Sequence, residues 1–186
     1  MAILTGLGLS AACGFRVFIP PLVVSIAAQT GNLELAESFS WVGEWPTLIA
    51  LGIATVCDFI GHEIPAVDDM LNVVEAPLAA IAGTILSASM FTDMDPLLQW
   101  GLAAIAGGGT AETVHLSRSF LKGGLNLATF GLSTPFVSIA EDVAAAVIPI
   151  LTFLAPILVL FVFLVLFGMT ALAIKKWVVK RRQQPA

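Results

Sequence analysis

The stretch Asp58-Phe59-Ile60-Gly61-His62-Glu63-Ile64-Pro65-Ala66-Val67-Asp68-Asp69 concentrates the titratable chemistry of this chain. It holds four of the thirteen carboxylates and one of the two histidines, and Glu75 follows six residues later. Asp58 and His62 stand four apart, which puts both on one face of a helix. Glu63 is adjacent, and Asp68 and Asp69 lie just past the proline. Carboxylates with an imidazole can bind a divalent cation, or pass a proton through a side chain that titrates near neutrality. The same residues also fit two plainer roles: a water-facing turn with solvated charges, or a salt-bridge lock onto Arg16 or Arg118.

Glu112-Thr113-Val114-His115 has the Glu-x-x-His spacing of carboxylate-bridged di-iron bundles. Those sites need two copies of the motif and two further glutamates, and this chain has a single copy. Two roles stay open: a second half of an ion site facing Asp58 and His62, or a structural hydrogen-bonded pair. Arg16 interrupts an apolar segment, where a lone cation is costly; pairing with Glu112 or Asp58, or contact with an anionic substrate, answers that cost. The candidate binding set is therefore Asp58, His62, Asp68, Asp69, Glu112 and His115, with Arg16 as counter-charge. Asp58, His62, Glu112 and His115 are the metal-ligand candidates within it, and no cofactor is expected other than a divalent cation. Glu141-Asp142 reads as a helix-start pair held by the helix dipole, and Arg118 with Lys122 as the cytoplasmic end of a span. No GxSxG, HExxH, P-loop or dinucleotide fingerprint occurs, so an ordinary enzyme is not expected.

The elements that must position these groups are apolar. Of 186 residues, 58% are hydrophobic and 11% charged, and the mean hydropathy is +0.98. Soluble domains carry roughly 25% charged residues, so this composition predicts a polytopic helical membrane protein. Residues 3–28 form the first apolar segment, interrupted at Gly14-Phe15-Arg16 and at Pro20-Pro21. Gly6, Ser10 and Gly14 recur every four residues, a stripe that admits another helix at close range. An acidic connector over 29–45 ends in Trp41 and Trp45, residues suited to a membrane interface. Spans are expected over 46–61, 72–91 and from about Trp100, the last weakened by Gly107-Gly108-Gly109. Residues 124–140 form a short span or a re-entrant hairpin, and 137–177 a long helix kinked at Pro149 and Pro156.

Five of the eight basic residues lie in the last twelve positions, which predicts a cytoplasmic C-terminus and leaves no basic face for nucleic acid. Cys13 and Cys57 stand apart from any CxxC pattern, so neither a disulfide nor a thiolate metal site is expected. Gly8–Gly14 and Gly101–Gly107 match at four of seven positions, and Ile64-Pro65-Ala66-Val67 resembles Thr134-Pro135-Phe136-Val137. Such matches fit an inverted 3+3 repeat, a frequent plan of secondary transporters, and they also fit shared Gly/Ala/Leu composition.

Several of these stretches together resemble an uncharacterised bacterial membrane-protein family catalogued as domain of unknown function 4126. They are the Gly14-Phe15-Arg16-Val17-Phe18-Ile19-Pro20 start, Asp58 with Ile64-Pro65 and Asp68, the Gly-rich span ending in Glu112-Thr113-Val114-His115, and Ser138-Ile139-Ala140-Glu141-Asp142 before an apolar tail. The resemblance covers nearly the whole chain and implies a multi-pass protein of the bacterial inner membrane, without implying an activity.

The fold expected is an all-α membrane protein of about six transmembrane or re-entrant helices, some broken by Pro or Gly. It forms one transmembrane domain over 1–177, with candidate halves 1–92 and 97–177 and a basic cytoplasmic tail over 178–186. The function expected is a small transporter or channel for an ion or small polar solute, with the lipid bilayer as its surroundings and a homodimer as a candidate assembly. Two rivals are a non-catalytic membrane subunit or assembly factor, and a lipid flippase or headgroup-acting protein. Transport requires the charged residues of both halves to converge on one place at membrane depth; a packing subunit would scatter them at the two interfaces.

Overall fold

The computed structural model describes the backbone of residues 2–62, 65–92, 94–129 and 134–154. Among them every regular element is helical. The first apolar segment folds as two short helices, α1 (Ala2–Cys13) and α2 (Ile19–Gln29), where one span was expected. The break falls at Gly14–Phe18, the glycine and arginine of the motif. It suits the prolines: Pro20 and Pro21 sit in the first turn of α2, where a missing N–H costs no helical bond.

The acidic connector carries a short 3-10 helix (Glu37–Gly43), with Phe39 and Val42 buried and Trp41 exposed. Ala36 donates its N–H to the Ser89 carbonyl at 2.9 Å, which ties the connector to the bundle. Next come α3 (Trp45–His62) and α4 (Pro65–Met90). These two helices are long and apolar enough to cross a membrane. The orphan carbonyls at the end of α4 are answered by Gln99, whose Nε2 donates to Ala88 O at 2.8 Å and to Phe91 O at 3.0 Å.

One unbroken helical rod follows. It consists of α5 (Pro96–Leu102), capped by Asp95, a π-helical segment (Ala103–Gly108) and α6 (Gly109–Thr129). Residues 124–129 thus continue this rod, and α7 (Thr134–Leu154) takes up 134–140. The segment expected as a short span or a re-entrant hairpin is divided between two helices, and 130–133 lie outside the described residues, as do residues 155–177, expected in the long final helix, and the basic tail.

Beside an apolar core that includes Leu9, Leu86, Phe39 and Met90, a layer of small residues lies where α1, α4 and the rod meet. Ser10 Oγ donates to Gly83 O at 2.6 Å and lies 2.7 Å from Ser87 Oγ. A Cβ placed on Gly83 would come within 2.6 Å of Ala111 Cβ, and one on Gly14 within 2.5 Å of Ala111 O. The stripe of Gly6, Ser10 and Gly14 therefore serves two partners: Gly6 and Ser10 approach α4, and Gly14 approaches α6. The outside is apolar instead. Leu97 is 83% exposed, Ile105 80% and Phe120 74%, while Arg16 and Glu75 are each only 2% exposed.

Candidate functional site

Four helices and one turn each turn a polar stripe toward the same interior point. On α3, Thr55 and Asp58 are buried, and the His62 side chain is nearly so, while Ile49, Ile53, Val56 and Ile60 face outward. On α6, Ala111, His115, Arg118 and Lys122 form a buried stripe at helical spacing, with Leu116, Phe120 and Leu121 outside. On α4 the buried acid is Glu75 and on α7 it is Glu141. Arg16 comes from the turn between α1 and α2, where Arg118 Nη1 donates to the Phe15 carbonyl. A helix break leaves carbonyls without intrahelical partners, and this guanidinium answers one of them.

These groups close into a ring. Arg16 Nε donates to Asp142 Oδ1 at 2.6 Å and Nη1 to Asp58 Oδ2 at 3.2 Å. The Asp58 Oδ1 atom lies 3.7 Å from His62 Nδ1, and His62 Nε2 lies 3.3 Å from Glu75 Oε1. Arg118 Nη2 donates to Glu75 Oε2 at 3.0 Å and to Asn72 Oδ1 at 2.8 Å, and its Nε is 3.7 Å from Glu141 Oε1. Glu141 and Asp142 are neighbours on α7, so the circuit returns to Arg16. They occupy the second and third turns of α7, with no acid in its first turn, so their expected helix-start role gives way to pairing with the two arginines. Likewise Arg118 and Lys122 are buried, where exposure at a span end was expected.

The imidazole of His62 has a defined orientation. Its Nδ1 lies 2.8 Å from the Asp58 backbone carbonyl. A carbonyl can only accept, so that contact assigns a hydrogen to Nδ1. Nε2 then faces a carboxylate oxygen, and a neutral ring would set one lone pair against another. A single added proton turns that contact into a charge-assisted hydrogen bond. Asp58 Oδ1 and Glu75 Oε1 are buried without a hydrogen-bond partner among the described residues. Asp58, His62 and Glu75 also offer one ligand atom each, all within 4.8 Å of one another.

Of the residues singled out in the sequence, Arg16, Asp58 and His62 meet in the ring. His115 is buried one turn before Arg118, close enough for their charges to interact. Glu112 lines a groove between α4 and the rod. The backbone of Asp68 and Asp69 belongs to α4, and their side chains lie outside the described residues. Sequence reasoning placed neither Glu75, Glu141 nor Asp142 in the site. The spacing of His115, Arg118 and Lys122 puts them on one helical face, a signal of an inward stripe that was read instead as the cytoplasmic end of a span.

No curated protein and no solved structure matches the chain. A family model described as "Domain of unknown function (DUF4126)" matches residues 3–176.

Proposed function

The chain belongs to the DUF4126 family, and from the chemistry of the ring we propose that it is a small ion transporter in which the ring takes up and releases a proton. The observation that carries this reading is the His62 contact pair: Nδ1 committed to a carbonyl, Nε2 opposed to Glu75 Oε1 at 3.3 Å. The charge count agrees. Asp58, Glu75, Glu141 and Asp142 face Arg16, Arg118 and the buried Lys122. Among the described residues of the ring, one proton on His62 balances these charges, and its loss leaves a single net negative charge.

The proposal places the protein in the bacterial inner membrane as a multi-pass bundle with its basic C-terminus cytoplasmic. Charged side chains inward and large aliphatics outward support that placement, because a buried ring avoids the cost of charge in hydrocarbon. The two halves take equivalent parts. Arg16 holds Asp58 of its own half and Asp142 of the other; Arg118 holds Glu141 of its own half and Glu75 of the other. This exchange is what an inverted 3+3 repeat would produce.

The test is proton flux in proteoliposomes carrying a pH-sensitive dye. Wild-type protein should dissipate an imposed pH gradient, and His62→Asn and Glu75→Gln should each slow it by about tenfold or more, the scale of a lost proton carrier. Equal flux in wild type and both variants, all shown to be inserted, would sink the proposal. The three convergent ligand atoms support a second reading, a divalent cation as cargo. Under that reading Mn(II) or Zn(II) enters the vesicles through the wild type and not through His62→Asn, and the proton flux is absent.

A further inference from the structure

We propose that the groove between α4 and the rod is a binding site for a membrane-dissolved hydrophobic amine, held by the Glu112 carboxylate. The groove has a volume of about 530 Å³, and its walls include Ile81, Ile85, Trp100 and Ala104, with Glu112 as the ionisable residue among them. That size falls within the roughly 300–1,000 Å³ of small-molecule sites, which are mostly apolar with a few fixed polar groups. The turns of the rod beside it carry the exposed Leu97, Leu98 and Ile105, an apolar flank that suits a ligand dissolved in hydrocarbon.

Charge complementarity selects the occupant. Glu112 Oε2 is buried and has no hydrogen-bond partner among the described residues. A carboxylate in apolar surroundings is stabilised by a cation that brings its own hydrogen-bond donors, which an ammonium does. From Trp100 to Glu112 the rod rises about 18 Å at 1.5 Å per residue, so the groove takes an elongated body with its charged end at Glu112. Gly109 keeps the space open: a Cβ there meets nothing within 4 Å, whereas one on Gly108 would lie 2.6 Å from Thr84 Oγ1. This site is separate from the ring, and the inference does not depend on His62 carrying a proton.

Trp100 supplies the reporter. In phosphatidylcholine nanodiscs, a variant with Trp41, Trp45 and Trp177 changed to Phe is titrated with a dibrominated long-chain alkylamine, and in parallel with the alcohol of the same chain. The amine should quench Trp100 saturably at a concentration about tenfold or more below the alcohol, the ratio expected of one charge-assisted contact. Glu112→Gln should remove that preference. Gly109→Leu should weaken quenching by both probes. If amine and alcohol quench alike, or the preference survives Glu112→Gln, the amine site is wrong and the groove is an apolar surface only. Either result is independent of proton flux, so the failure of one proposal leaves the other standing.

Discussion

At the residue scale, each arginine of the ring pairs with two carboxylates that stand on different helices. Replacing Arg16 by Leu should cost about 3–5 kcal/mol of stability, because it strands Asp58 and Asp142. Thermal unfolding in detergent measures this, and adding Asp58→Asn to Arg16→Leu should recover part of the loss, since the two changes share one contact. Full additivity of the two changes would mean that Asp58 does not depend on Arg16. Asp58 and His62 were legible as a pair because their spacing lies within a single helix. Glu75, Glu141 and Asp142 were not, because their roles depend on how α4 and α7 are rotated about their own axes. Local spacing says which residues share a face and leaves open which neighbour that face meets.

At the scale of elements, the glycines divide by what a methyl group would strike. Gly83→Ala puts a carbon 2.6 Å from Ala111 Cβ and 3.1 Å from Gly107 O. Overpacking of this kind costs about 1–3 kcal/mol. Gly109→Ala meets open space and should be neutral or stabilising by up to about 1 kcal/mol, the difference in helix propensity. Parallel unfolding curves check the pair, and equal effects would contradict the packing described. The four-residue recurrence of Gly6, Ser10 and Gly14 announced close helix contact, and the structure supplies it. That one stripe would be shared between α4 and α6 was hidden, because the helix ends at Cys13 and the chain changes direction before Gly14 finishes its contact.

At the scale of the whole molecule, the described residues bury the ring of charges and leave the flanks of the long helices apolar, as expected of the membrane protein that composition pointed to. Spin labels on single cysteines test it in a background lacking Cys13 and Cys57. At Ile53, Ile105 and Phe120 the labels should be relaxed by oxygen, which dissolves in hydrocarbon, and shielded from a water-soluble nickel complex. At Ala79 and Ala111 both relaxing agents should be excluded. Nickel access at Ile105 would show that this flank faces water.

The π segment at Ala103–Gly108 sets which way everything after it points. Deleting one residue there would turn the remainder of the rod by about 100°. Leu116, Ser119 and Gly123 would then take the inward places of His115, Arg118 and Lys122. A change of side chain at exposed Gly109 is a local event, but a change of chain length beside it exchanges lining for coat along the rest of the helix. Gly109 thus tolerates a new side chain, whereas the segment just before it, packed closely at Gly107 and Gly108, tolerates neither added bulk nor a change of length.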